Sequence, residues 1–498
     1  MSQLEILPAP RPIDLVSAPR LSSVFHHHPT TWTQNKSLLT GKSVSVNGDD
    51  LGDNDIGDDG DTIFPGLPPL LRGHPEVHLR NGVIRAARLS ATNEPDSESA
   101  FFVADLSSVY NQLERWRRYL PEIEPFYAVK CNPDPYVLRL LAALGTGFDC
   151  ASNGEIGQVL RLGVSPDRII YANPCKAVSS IKSAARTGVD AMTFDNEDEL
   201  YKVARVNPNA KLVLRILTDD SKSLCRLGLK FGAPLVTVPG LLLKAKELGL
   251  DVIGISFHVG SGCYDSSAFT DAVGWARAAF DMGLTVGYKF SFLDVGGGFE
   301  DTNFETTASV LCDALDLHFP DRSGSGLRII AEPGRYFVSR AFSLAANIIA
   351  RRAPLSVVGE TTEIKGEGDD QPSMMYYIND GVYGAFNCIL FDHQEVHPYV
   401  LTMNGSFHFS GTESLQASSV WGPTCDSIDC VCPMARLPAG LRVGDWLAFN
   451  NMGAYTICAA SQFNGFAVSL VTYTSGDGYG SQEVRLALKA AHAAVLNA

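Results

Sequence analysis

Residues 125–130 read PFYAVK, a short apolar run closed by a lysine. Seven further runs of the same kind follow it: GFDC (147–150), RIIYA (168–172), DAMTF (190–194), KLVLRIL (211–217), VIGISFH (252–258), FSFLDVG (290–296) and LRIIAE (327–332). Each is too short for a typical helix and has the length of a buried strand. Amphipathic segments lie between them, at 135–144, 177–187, 195–206 and 265–282. Asp195 and Asp265 precede two of these as expected N-caps, because their carboxylates can accept from the free N–H groups of a first turn. Eight strand–helix units in about 230 residues match a (β/α)8 barrel, and an open doubly wound sheet is the alternative the pattern allows.

The texture changes on either side. Beyond about residue 340, the segments MMYYIND, ASSVWGPTC, DWLAFNN, AYTICAAS and AVSLVTYT are strand-like and separated by turn formers, so a mostly β domain is expected over 341–498. The polar stretch 404–419 reads as a loop within it, and residues 67–104 are expected to add N-terminal strands to it. The barrel is then expected over 105–340. Residues 1–66 hold a histidine triplet (His26, His27, His28) and the run DDLGDNDIGDDGD at 49–61. That run lacks the spacing and closing glutamate of an EF-hand, so a solvated, disordered acidic tail is the expectation.

Composition narrows the function. The net charge of −15 argues against nucleic acid and anionic membrane as partners. No apolar run is long enough to span a bilayer, and the N-terminus has no secretory pattern. The 11 scattered cysteines show no paired CxxC spacing, which points to no metal site and to free thiols in a reducing cytoplasm.

In a barrel of this kind, the chemistry gathers at the C-terminal ends of the strands. The run ends carry Lys130, Asp149, Arg215, His258, the triplet Gly296-Gly297-Gly298 and Glu332. A lysine in a partly apolar pocket can form a Schiff base with a carbonyl. Glycines let backbone N–H groups approach a phosphate, and Arg335 in AEPGR adds a charged fork. A carboxylate can keep a pyridine nitrogen protonated, and an imidazole can stack on its ring. This set describes pyridoxal phosphate. Cys425 and Asp426, in SSVWGPTCDSID (418–429), pair a thiol with an acid; the segment alone leaves nucleophile, ligand, proton donor and core residue open.

The motifs PFYAVKCN, FDCAS, DDSKSLCRLGLKFG, SFHVGSGC, LDVGGGF, AEPGRYFV, YYINDGVYGAFNCILFDH, SSVWGPTCDSID and GDWLAFNNMGAYT occur in order from about 100 to 466. Together they resemble the eukaryotic ornithine decarboxylases, pyridoxal-phosphate enzymes with an alanine-racemase-like barrel and a β domain. The resemblance implies that Lys130 carries the cofactor. It implies that Asp149, Arg215, His258 and Ser261 line it, and that Gly296, Gly297, Gly298, Gly334, Arg335 and Tyr455 hold its phosphate. Glu332 is implied at the ring nitrogen, and Glu155 as a further active-site acid. Asp392, Asp426 and Tyr383 are implied to bind the substrate, L-ornithine, and Cys425 to act at its α-carbon. A homodimer with shared sites is implied as well, with Lys230 and Asp429 paired across its interface and antizyme as a further partner. Phe391 stands where the family often has tyrosine, and Asn153-Gly154 departs from the common form before Glu155. The rival readings are a decarboxylase acting on lysine or another basic amino acid, and an inactive antizyme-binding homologue.

Overall fold

The computed structural model describes residues 60–92, 94, 97–353 and 372–496, which belong to one compact unit. The expected tail, with its histidine triplet and most of its acidic run, lies outside them. Eight strands close a barrel: β1 (Ile123–Ala128), β2 (Gly147–Cys150), β3 (Ile169–Tyr171), β4 (Ala191–Phe194), β5 (Lys211–Arg215), β6 (Asp251–Ser256), β7 (Phe292–Asp294) and β8 (Arg328–Ala331). Every pairing is parallel and between sequence neighbours, and Ile330 opposite Glu124 closes β8 onto β1. The closed ring excludes the open-sheet alternative.

The strands are short because each needs only enough length to bury one inward layer. Phe126, Ile170, Val213 and Phe292, from alternate strands, meet inside the barrel together with Ile330. The helices start where side-chain acceptors allow. Asp134 accepts from Tyr136 N and Val137 N at 2.9 and 3.1 Å and starts Pro135–Ala143. Ser152 accepts from Glu155 N at 3.3 Å and starts Asn153–Leu160. Asp265 accepts from Ser267 N at 2.9 Å, but it stands one residue ahead of the N-cap position, which Ser266 occupies. Asp195 does not cap its helix: Asn196 takes that place, and the Asp195 carboxylate accepts from Gly232 N at 2.8 Å.

The second sheet is built from both ends of the chain. Strand Phe101–Asp105 lies between Leu470–Thr474, parallel to it, and Phe342–Arg352, antiparallel to it. Met374–Ile378, Leu415–Trp421 and Cys430–Pro438 extend the sheet. Three expectations are corrected. Residues 67–104 are not all strand, since Pro75–Ala91 is a helix between Leu70–Leu71 and Phe101–Asp105. His78, Leu79, Gly82, Val83 and Ala86 are its buried face, at helical spacing, and Pro75 sits in its first turn. The loop at 404–419 stops short, because strand begins at Leu415. The C-terminal region ends in the helix Gly480–Leu496, which packs against Leu106–Tyr119 and Pro135–Ala143 on the barrel rather than extending the β domain. Among the described residues, no helix is long and apolar enough to cross a membrane.

Candidate active site

Lys130 follows β1 by two residues, in the turn Val129–Cys131, so the strand aims it into the C-terminal mouth. Its Nζ lies 2.5 Å from Asp149 Oδ2 at the end of β2. Burial works against the ammonium, but the Asp149 carboxylate outweighs it, so the lysine holds its proton more tightly than usual. Glu332 follows β8 and is almost fully buried. Burial first, then the neighbouring Asp294 and Asp149 carboxylates, raises its proton affinity well above that of a free glutamate.

His258 follows β6. Its Nδ1 accepts from Gly260 N at 2.9 Å, which leaves the ring proton on Nε2. Burial, with Arg215 and Lys130 nearby, holds it well below the usual range, so the ring is neutral. Gly297 must lie against this ring: a Cβ there would come within 2.8 Å of both His258 Nε2 and Glu332 O. The same test at Gly296 and Gly298 meets Phe257 O at 2.1 Å and Gly260 O at 2.7 Å. The triplet is therefore required by the barrel's own backbone packing, and it leaves a wall of main chain free of side chains.

Lys130, His258, Gly297, Gly298 and Glu332 line one pocket, closed by Ser261, Gly334, Arg335 and Tyr455. Arg335 opens the short helix Arg335–Val338. Its Nε is 3.2 Å from Glu300 Oε1, and its Nη2 pairs with Asp392 Oδ2, but neither nitrogen has a well-aligned hydrogen-bond acceptor. A buried guanidinium beside bare main chain fits an incoming phosphate. The guanidinium also lies 5.4 Å from the Tyr455 ring, which the β domain contributes from a left-handed turn at φ 54°.

Of the other expected residues, Asp149 keeps one buried oxygen, Oδ1, without a partner. Arg215 ends β5 and lies over the Phe231 ring. Glu155 accepts from Ala151 N at 2.5 Å beside the start of its helix, and burial raises its proton affinity. Cys425, Asp426 and Tyr383 form a separate group: the Tyr383 hydroxyl donates to Asp426 Oδ2, and Cys425 N donates to Asn464 Oδ1 at 3.0 Å. Cys425 is exposed, and none of the three lines the Lys130 pocket of its own chain.

Asp429 is placed by contacts within its own chain. It is 1% exposed and satisfied within its own chain, accepting from Val382 N, Thr424 N and Thr424 Oγ1 at 2.8, 2.9 and 2.6 Å. Its carboxylate is thus enclosed by a turn of its own chain, and Lys230 is exposed over Phe231. Two acids were not singled out in the sequence. Asp294 accepts from Gly296 N at 2.9 Å and fixes the glycine turn, and Glu300 sits beside Arg335. Both flank the GGG triplet, which was the available signal. Among the described residues, no cluster of metal-ligating side chains occurs.

Comparison with known proteins agrees with this geometry. Residues 106–339 match the family described as pyridoxal-dependent decarboxylase, pyridoxal binding domain. The chain is 52% identical to ornithine decarboxylase of Schizosaccharomyces pombe over 402 residues, covering 80% of this chain and 89% of that one. It is also 52% identical to antizyme inhibitor 2 of Xenopus laevis over 390 residues, covering 77% and 83%. Among solved structures, the arginine decarboxylase of Paramecium bursaria Chlorella virus superposes with a TM-score of 0.70 at 34% identity, covering 79% of this chain and all of that one.

Proposed function

The chain belongs to the eukaryotic ornithine decarboxylase family, and from that premise we propose a role for each group at the mouth of the barrel. The reaction removes the α-carboxylate of L-ornithine as carbon dioxide and leaves putrescine. Pyridoxal phosphate supplies the electron sink for that step. The observation that carries the assignment is the single pocket holding Lys130, His258, Glu332 and Arg335 around side-chain-free backbone.

Lys130 is the amine that carries the cofactor carbonyl. It must give up its proton first, and Asp149 at 2.5 Å is the nearest acceptor. Gly296, Gly297, Gly298 and Gly334 offer main chain to the phosphate, with Arg335 and Tyr455 completing its shell. His258, neutral and fixed by Gly260 N, offers a flat face to the ring. Glu332 holds a proton at the ring nitrogen, which its raised proton affinity favours. Ser261, Arg215 and Asp149 frame these groups, and Glu155 is a more distant acid.

Cys425, Asp426 and Tyr383 act in the site of a second copy, in a homodimer. The exposure of Cys425 and the separation of all three from the Lys130 pocket support this. Cys425 delivers or steers the proton to the α-carbon, and Asp426 with Asp392 takes the distal ammonium. Two carboxylates around a compact ammonium suit ornithine. A substrate one methylene longer is disfavoured by only ~1–3 kcal/mol, so slow turnover of lysine is expected. We infer a role in polyamine synthesis, with the cytoplasm as the proposed location. Its likeness to antizyme inhibitor 2 supports antizyme as a regulator. The test is labelled carbon dioxide release from ornithine, lysine and arginine, with and without added cofactor. Preference for lysine or arginine would overturn the substrate, and activity independent of the cofactor would overturn the role of Lys130.

A further inference from the structure

We propose that a cleft at the opposite end of the barrel binds an organic anion, a phosphate, sulfonate or carboxylate carried on an apolar body. The cleft encloses about 340 Å³, within the size range of small-molecule sites. Arg168 stands one residue before β3, Arg161 directly follows the helix Asn153–Leu160, and Arg139 lies midway along Pro135–Ala143. The cleft therefore opens at the N-terminal ends of the strands, away from Lys130. Phe64 and the C-terminal helix, through Ala491 and His492, complete it.

Three guanidiniums face this cleft, and no carboxylate lines it. Two of them also make ordinary structural contacts. Arg168 donates to Ala142 O and Thr146 O at 2.9 and 2.6 Å, as a cap on a helix end. Arg139 donates to Pro135 O at 2.9 Å and lies 4.9 Å from the Phe64 ring centroid. These contacts explain why the side chains are ordered. They do not neutralise the charges, because no carboxylate of the described residues forms an ion pair with Arg139, Arg161 or Arg168. Burial disfavours the charged form of both Arg139 and Arg168. In a chain of net charge −15, three arginines with no ion pair among the described residues, gathered around an apolar wall, are not a diffuse surface feature.

The wall sets the ligand's body. Phe64, Leu162 and Val164 supply apolar surface, and the His492 ring meets Phe64 edge-on at 5.2 Å. Inorganic phosphate would use the arginines and waste the wall, whereas a neutral hydrocarbon would use the wall and leave the cations unpaired. An amphipathic anion uses both. It would also join three parts of the chain: the segment at Phe64, the barrel, and the C-terminal helix.

The test is a fluorescence titration of the holoenzyme with anilinonaphthalene sulfonate, beside the neutral probe phenylnaphthylamine. One saturable site per chain for the sulfonate is expected, displaced by naphthyl phosphate or decanoate and untouched by ornithine. Arg161→Glu removes an exposed cation, and Ala143→Trp fills the cleft from an exposed position. Each is expected to weaken the sulfonate by about tenfold or more, the scale of one lost charged hydrogen bond, with ornithine turnover unchanged. Unaltered binding in both variants, equal binding of the neutral probe, or displacement by ornithine would each overturn the proposal.

Discussion

Asp134 offers a quantitative test of how the two halves of the chain are joined. Its Oδ1 accepts from the first turn of Pro135–Ala143, and its Oδ2 accepts from the Tyr473 hydroxyl at 2.7 Å. Tyr473 lies on Leu470–Thr474 in the β sheet, so one carboxylate starts a barrel helix and anchors the sheet to it. Replacing Asp134 with alanine removes the cap, costing about 1 kcal/mol. It also strands the Tyr473 hydroxyl, which is 4% exposed as a residue, for about 1–3 kcal/mol more. Burial raises the proton affinity of Asp134, so part of the carboxylate's own desolvation is recovered, and a total near 2–3 kcal/mol follows. Asp134→Asn keeps an oxygen for the cap and should cost about 1 kcal/mol, and Tyr473→Phe about the same. The assay is urea unfolding of the holoenzyme for both singles and the Asp134→Ala/Tyr473→Phe double variant. Because the two groups are in contact, the double variant should fall short of the sum by about 1 kcal/mol. Strict additivity, or an alanine variant within about 0.5 kcal/mol of wild type, would refute the shared-anchor reasoning.

Other outcomes follow from the same structure. Burial pushes Glu300 up to about 7 from its ordinary 4.5. Its contribution to stability is full below about pH 4.5 and is lost as the pH rises through about 7, by at most ~3 kcal/mol; urea midpoints across that window should fall for the wild type and flatten in Glu300→Gln. Lys176 and Glu199 form a fully buried pair at 3.0 Å, so Glu199→Gln, which leaves Lys176 with a neutral neighbour, should destabilise by about 3 kcal/mol in thermal or chemical unfolding. Lys130→Ala and Cys425→Ala homodimers should each be nearly inactive, and their re-equilibrated mixture should regain roughly a quarter of wild-type activity. No recovery after verified subunit exchange would place Cys425 in its own chain's site.

What the sequence revealed depended on the kind of order involved. A parallel barrel places successive strand ends at one mouth, so Lys130, Asp149, His258 and Glu332 could be gathered from spacing alone, across about two hundred residues. Strand ends shifted by at most two residues, without moving any of these groups. The helix Pro75–Ala91 escaped because its buried face is thin: a glycine, an alanine and a histidine stand among only two larger apolar residues. Gly480–Leu496 is alanine-rich, and what it packs against is fixed by the barrel's outer helices, not by its own pattern. The Asp195 cap failed for a tertiary reason. Two adjacent residues could each cap, and the tertiary contact to Gly232 N decided between them.

The glycine triplet shows how fold and chemistry are entangled. Read alone, GGG suggested a ligand's need for bare backbone. The structure adds that any Cβ at these positions would collide with Phe257 O, Glu332 O or Gly260 O. The constraint comes from β6 and β8 pressing on the loop after β7, and it would hold whether or not anything bound there. Yet the same crowding draws His258 and Glu332 onto the loop's flank and leaves its backbone exposed to the pocket. Asp294 then fixes the turn through Gly296 N, while its own charge raises the proton affinity of Glu332. One packing requirement thus both builds the cradle and tunes the acid beside it. A substitution such as Gly297→Ala should therefore cost stability as well as cofactor affinity, and no variant of the triplet can separate the two by activity alone.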